Sequence, residues 1–204
     1  MRYIIMCGAV GDDPKHLWKI NGEPIVCRTI RLLRERGVTD IAISSNNPIF
    51  DDLGVPVLHH KNDYKQGGKW IDGFYPTDDP VCYIYGDVVF SEKAIEKIVT
   101  TETDDVEFFA SAPPFTDKYH KPWAEPFAFK VVDVDHFWNA VEMARILYER
   151  GLIKRLISWE LWQVIKSTPL NEINYTNYTA INDFTCDVDD KEEYRALIES
   201  GVIE

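Results

Sequence analysis

The sequence predicts a three-layer α/β/α domain on a mostly parallel, Rossmann-like sheet, and three observations predict it. Tyr3-Ile4-Ile5-Met6 and Val81-Cys82-Tyr83-Ile84-Tyr85 are unbroken apolar runs without polar alternation, the mark of strands covered on both faces. Segments of helical apolar spacing separate such runs along the chain. The first fifty residues read strand, loop, helix, strand, a βαβ unit whose crossover demands a parallel pair. With 204 residues, 45% of them hydrophobic, the chain is long enough for one substantial core and reads as a single domain over 1–204.

The elements follow in order. After the strand at 3–7 comes a loop from Gly8 to Lys15. Asn21-Gly22 marks a turn, and from Pro24 the apolar positions Ile25, Val26, Ile30 and Leu33 give a helix that stops near Gly37. Asp40 to Ser44 reads as a second strand and Val55 to Leu58 as a short third. The run at 81–85 ends at Gly86-Asp87, and Ser91 caps a helix through Val99 with Glu92 in its first turn. Val106 to Ala112 and Pro126 to Val132 are extended. His136 to Arg150, Ser158 to Lys166 and Lys191 to Glu199 are helical, with an extended run over 183–188 before the last. Trp159 and Trp162, three apart, share one helix face as core residues do.

The formal charge of −12 opposes the phosphates of nucleic acid, so binding by counterion release is disfavoured and no nucleic-acid partner is expected. No stretch approaches the roughly 20 apolar residues of a membrane span, and the opening run is too short for a signal peptide core. Cys7, Cys27, Cys82 and Cys186 are far apart with no CxxC pair and read as reduced, buried small hydrophobes. The expected compartment is the cytoplasm. His59 and His60, adjacent in an extended run, point to opposite faces and do not share a metal.

Three blocks of residues carry chemistry. The first runs Tyr3-Ile4-Ile5-Met6-Cys7-Gly8-Ala9, then Pro14-Lys15-His16-Leu17, then Asn21-Gly22-Glu23-Pro24-Ile25-Val26. The second is Tyr83-Ile84-Tyr85-Gly86-Asp87-Val88, and the third Asp187-Val188-Asp189-Asp190-Lys191-Glu192-Glu193-Tyr194. Asp87 stands beyond the C-terminal end of a buried strand, where ligands gather in open α/β sheets. Together these blocks resemble the nucleotidyltransferase family of the nucleotide-diphospho-sugar transferase fold, which includes sugar-1-phosphate, phosphocholine and molybdopterin nucleotidyltransferases. Only Val10 to Asp13 separate Ala9 from Pro14, and this loop is shorter than the family's and carries no arginine.

The resemblance implies a Mg²⁺-dependent transfer of a nucleotide from an NTP to a phosphorylated small molecule, with residues 1–100 as the nucleotide half and 101–204 as the acceptor half. It places Cys7, Gly8, Ala9, Gly11 and Lys15 on the nucleotide and Asp87 with Asp187 or Asp189 on the metal. Lys15 and Asp87 are the expected catalytic residues. Backbone amides around the glycines suit phosphate, glycine allowing close approach, and an acceptor phosphate with a second pKa of about 6 needs positioning more than a general base. Trp123 and Glu125 fall in the acceptor half, where an aromatic and acidic pair suits a cationic head group or a sugar, with core packing as the alternative. Lys61, Lys65 and Lys69, with Gly67-Gly68, fall where the family places its base-contacting loop and read either as positive charge near the nucleotide or as an exposed polar loop. Two further readings are a glycosyltransferase of the related fold and a non-catalytic binding domain. Pro-Lys-x-Leu followed by Gly-x-Pro favours the transfer of a nucleotide.

Overall fold

The computed structural model of the chain describes residues 1–8, 13–61, 69–115 and 121–203. Eleven strands and five α-helices occur among them: β1 (Arg2–Met6), β2 (Lys19–Ile20), β3 (Glu23–Pro24), α1 (Ile25–Glu35), β4 (Ile41–Ser45), β5 (Val57–His59), β6 (Val81–Tyr85) and β7 (Val88–Val89) in the first part. Then follow α2 (Glu92–Thr100), β8 (Val106–Ser111), β9 (Glu125–Val131), α3 (Val134–Glu149), α4 (Ser158–Ile165), β10 (Thr179–Ala180), β11 (Cys186–Asp187) and α5 (Lys191–Glu199). Seven strands form the main sheet in the order β10-β8-β9-β6-β1-β4-β5. The pairs β1/β4, β1/β6, β4/β5 and β8/β10 are parallel, whereas β9 runs antiparallel to both β6 and β8.

Strand alternation divides the core into two layers. Tyr3, Ile5, Cys82 and Ile84 pack on one side with Val26, Ile30 and Leu33 of α1 and Ile95 and Ile98 of α2. Ile4, Met6, Val81 and Tyr83 pack on the other with Phe137 and Val141 of α3 and Trp159 and Trp162 of α4. Successive residues of one strand thus feed opposite layers, which is why these strands carry no polar alternation. The two tryptophans lie in the core as the sequence indicates, at 3% and 1% exposure.

Local signals account for most element ends. Ser91 Oγ accepts the Ala94 amide at 2.9 Å and caps α2. Gly37, at φ +79°, closes α1, with the amides of Gly37 and Val38 bonded to the carbonyls of Arg34 and Leu33. Asn21 and Gly22, both at positive φ, make the two-residue turn between β2 and β3. α3 begins at Val134 rather than His136, because Asp133 accepts the His136 amide and draws the first turn back by two residues. Over 183–188 only Cys186–Asp187 pairs as a strand, and the edge strand β10 has no counterpart in the apolar pattern.

Phe108 is fully buried on β8, stacked on Phe129 with centroids 4.4 Å apart and edge-on to Trp159 at 5.0 Å. Phe108→Ala is expected to lower unfolding free energy by about 3–5 kcal/mol in urea denaturation, since it opens a cavity among rigid rings. A loss below about 1 kcal/mol would contradict this packing.

Candidate active site

The parallel pairing of β1 with β6 sets two strand ends side by side, and the Gly86 amide donates to the Met6 carbonyl at 3.0 Å. A Cβ on Gly86 would lie 2.6 Å from both the Met6 carbonyl oxygen and Cys7 Sγ, so only glycine fits this close approach. The chain then turns through Asp87 into β7. β7 pairs antiparallel with β11, matching Val88 to Asp187, and the Val188 amide donates to the Asp87 carbonyl at 3.0 Å. Residues a hundred apart in sequence are thereby fixed as neighbours. Asp190 caps α5 through the amides of Glu192 and Glu193, which orients the first turn of that helix toward the same point.

Two lysines gather the carboxylates there. Lys15, in the 3₁₀ turn Lys15–Leu17, places Nζ 2.7 Å from Asp87 Oδ2 and 2.8 Å from Asp189 Oδ1. Lys121 places Nζ 2.5 Å from Asp187 Oδ1, 2.8 Å from Glu193 Oε2 and 3.4 Å from Glu125 Oε1. Glu193 Oε2 also accepts the Asp189 amide at 2.8 Å and so joins the two groups. Five carboxylates thus surround two ammonium groups, and the site is net acidic.

Burial and charge shift these groups in different directions. Burial opposes the charge on Asp87, but Lys15 outweighs it and holds its carboxyl below the usual range. Burial likewise opposes the Lys15 ammonium, and Asp87 and Asp189 override it upward. Asp187 is pushed up to about 8 by burial, then by its hydrogen bond and repulsion with Glu125, with Lys121 opposing. His16 is 3% exposed, lies edge-on to Phe50, and is pushed down to about 4 chiefly by burial. Its imidazole is neutral at pH 7, so the charge beside Asp87 comes from Lys15.

Most of the residues expected from the sequence converge here. Asp87 and Asp189 meet on Lys15, while Asp187 faces Lys121 one shell further in. Gly8 leads off the end of β1, with open space where a Cβ would stand. Ala9 and Gly11 lie outside the described residues, as do Lys65, Gly67 and Gly68. The Cys7 amide is committed to the Ser44 carbonyl at 2.8 Å and its carbonyl accepts Ser45 Oγ, so Cys7 anchors the strand end. Trp123 is 47% exposed with its ring centroid 5.4 Å from Lys121 Nζ, whereas Glu125 is fully buried against that lysine. Sequence reasoning gave no role to Lys121 or Glu193. Glu193 had a signal, since Asp190-Lys191-Glu192-Glu193 has the spacing of a capping box whose last residue turns back to the helix start. Lys121 sits on a loop with no periodicity to mark it.

The donors suit a hard divalent cation. Asp187, Asp189 and Glu193 each offer a carboxylate oxygen, all within 4.8 Å of one another, and the set is oxygen alone. Asp87 approaches the same cluster through the lysine it shares with Asp189.

The seven-stranded sheet with its flanking helices has the nucleotidyltransferase fold. Solved structures similar to the chain include a UDP-glucose pyrophosphorylase from Acinetobacter baumanii (TM-score 0.58, 12% identity, 97% of this chain and 91% of that one). An inositol-1-phosphate CTP transferase from T. maritima gives a TM-score of 0.54 at 13% identity, over 100% of this chain and 98% of that one. The CTP:phosphocholine cytidylyltransferase of Streptococcus pneumoniae gives 0.51 at 14%, over 98% of each. No protein-family model and no curated protein matches the sequence.

The buried neutral His16 has a consequence for acid stability. Its pKa is lowered on folding, so its contribution is complete above the unfolded value of 6.5 and is lost as pH falls toward about 4. His16→Gln is expected to flatten the stability profile in that window by on the order of 3 kcal/mol relative to the wild type, measured by urea denaturation across pH. Equal slopes in the two proteins would contradict a buried neutral imidazole.

Proposed function

We propose that the chain is a Mg²⁺-dependent nucleotidyltransferase that joins the nucleotide of an NTP to a phosphorylated small molecule and releases pyrophosphate. One observation carries this reading: Asp87 and Asp189, from opposite ends of the chain, converge on Lys15 at the edge of the sheet in a nucleotidyltransferase fold. Similar folds include enzymes named for CTP, inositol-1-phosphate and phosphocholine, which supports reactants of that kind.

In this reading residues 1–100 take the nucleotide and 101–204 the acceptor. The loop that begins at Gly8 and includes Ala9 and Gly11 is assigned to the nucleotide phosphates. Lys15 offsets charge that builds toward the leaving pyrophosphate. Asp87 and Asp189 would hold Mg²⁺, with Asp187 and Glu193 as the neighbouring oxygen donors, and the cation would neutralise charge on both anionic reactants. A phosphate oxygen of the acceptor forms the new bond to the α-phosphorus as the bond to the β-phosphate oxygen breaks. That oxygen is already ionised at neutral pH, so the chain's work is to align it. Glu125 and Glu193 keep Lys121 in place, and Lys121 with Trp123 flanks the acceptor. The four cysteines are free, which supports a reducing, cytoplasmic setting.

Pyrophosphate release should be assayed with the four NTPs against sugar-1-phosphates and phosphocholine. At least one pair is expected to turn over only with Mg²⁺. Asp87→Asn is expected to lower kcat at least about 100-fold, because a charged metal ligand is lost while size is kept. Lys15→Ala is expected to cost about tenfold and to raise the KM for NTP, since amides and cation share its task. Failure of every pair, or near-normal rates for Asp87→Asn at limiting Mg²⁺, would refute the proposal.

A further inference from the structure

The ammonium groups near the carboxylate edge are held in different ways. Lys121 is 7% exposed in its side chain and is shared by Asp187, Glu193 and Glu125. Lys191 lies 3.7 Å from the centre of the Trp18 ring and 3.0 Å from Asp13, which also accepts from Trp18 Nε1. Lys15 keeps a quarter of its side chain exposed, and its Nζ bridges Asp87 at 2.7 Å and Asp189 at 2.8 Å. Those two are the carboxylates assigned above to Mg²⁺.

Both acids are anchored through their backbones. Asp87 follows Gly86, where no Cβ fits, and its carbonyl accepts the Val188 amide at 3.0 Å. The Asp189 amide donates to Glu193 Oε2 at 2.8 Å. Lys15 is likewise fixed at its backbone, because the Trp18 amide donates to its carbonyl at 3.1 Å and the next residue, His16, is buried. Beyond its Cα, lysine is a compact charge on a flexible stem. The side chains it holds are open to solvent in part, Asp87 at 21% and Asp189 at 55%. The ammonium can therefore leave while the acids stay in place.

Mg²⁺ takes carboxylate oxygens at about 2.0–2.1 Å, closer than the ammonium contacts, so ion and ammonium cannot stand between Asp87 and Asp189 together. Two cations on one pair of carboxylates also repel each other. We propose, resting on the function proposed above, that Lys15 is an internal competitor of the divalent cation: the ion expels its ammonium from Asp87 and Asp189, and the freed side chain turns to the phosphates of the nucleotide. The exchange replaces a single positive charge between the acids by a double one and gives the ammonium new oxygen partners. Cation and nucleotide then reinforce each other, since phosphates that draw Lys15 away leave both carboxylates to the ion.

Mn²⁺ binding to the whole protein without nucleotide, followed by electron paramagnetic resonance of the free ion, tests this by its sign. Loss of a competitor strengthens binding, whereas loss of a group that merely gathers the carboxylates weakens it. Lys15→Met is expected to bind Mn²⁺ at least about tenfold more tightly than the wild type. Lys15→Gln should behave alike and decides the matter if Lys15→Met does not fold. Lys191→Met removes a neighbouring charge that is engaged with Asp13, and should change the affinity less than about threefold. Asp87→Asn, alone or combined with Lys15→Met, should abolish binding. Unchanged or weaker binding in both Lys15 variants, or an equal gain in Lys191→Met, overturns the inference; the proposed function still stands if Asp87→Asn removes the Mn²⁺. Binding that Asp87→Asn leaves intact, or no binding by any of these proteins, refutes the function and the inference together.

Discussion

Carboxylates repel, and holding Asp87 beside Asp189 requires a scaffold that outweighs the repulsion. The scaffold is the two-residue antiparallel ladder between Val88–Val89 and Cys186–Asp187, extended by the bond from the Val188 amide to the Asp87 carbonyl. Val88, Val89, Cys186 and Val188 are all at most 1% exposed, and Val89, Cys186 and Val188 form a small core with Ile20, Ile25 and Leu197. Fully burying a valine side chain is worth about 1.5–3 kcal/mol, so a few apolar residues suffice to fix the acidic ones. Everything at the site depends on this ladder. It presents Asp87 on one edge, Asp187 on the other, and delivers the chain into α5, whose cap aims Glu193 inward.

Within the cluster the two lysines have different settings. Lys15 is a quarter exposed and its partner Asp189 half exposed, so solvent and ligands reach that pair. The Lys121 side chain is 7% exposed, and Glu125 below it has no exposure at all. The outer pair can exchange partners as ligands come and go. The inner group is a fixed support, and the raised pKa of Asp187 reflects the crowding of buried acids around one ammonium.

Much of this was legible in the sequence. Unbroken apolar runs gave β1, β4, β6 and β8 to within a residue or so, because two-sided burial leaves no room for polar alternation. Caps and turns marked α1 and α2 through Gly37 and Ser91. Asp87 could be placed because a glycine-aspartate pair ending a buried strand has few other positions. What could not be read was orientation and partnership. Nothing in Glu125 to Val131 tells that β9 runs antiparallel between β6 and β8, since a strand buried on both faces looks alike in either direction. Lys121 was equally silent, as a charged residue's burial is decided by elements far away in sequence. Asp187 and Asp189 looked equivalent until the ladder put only Asp189 against Lys15.

The position of β9 bears on how the protein is made. Its two neighbours, β6 and β8, both precede it in the chain, yet neither pairs with the other. A nascent or partly folded chain that lacks β9 therefore leaves the β6 edge open and β8 unpaired, exposing Tyr83, Ile84, Phe108 and Phe109, all fully buried in the finished fold. Such edges are templates for pairing with other chains. Covering the β6 edge requires β9, which brings β8 with it as its consecutive partner, and the β6–β9 pairing is the non-local and hence slower of the two. The same pairing carries Glu125 to its place under Lys121, so the inner half of the acidic cluster is completed in the step that covers the β6 edge.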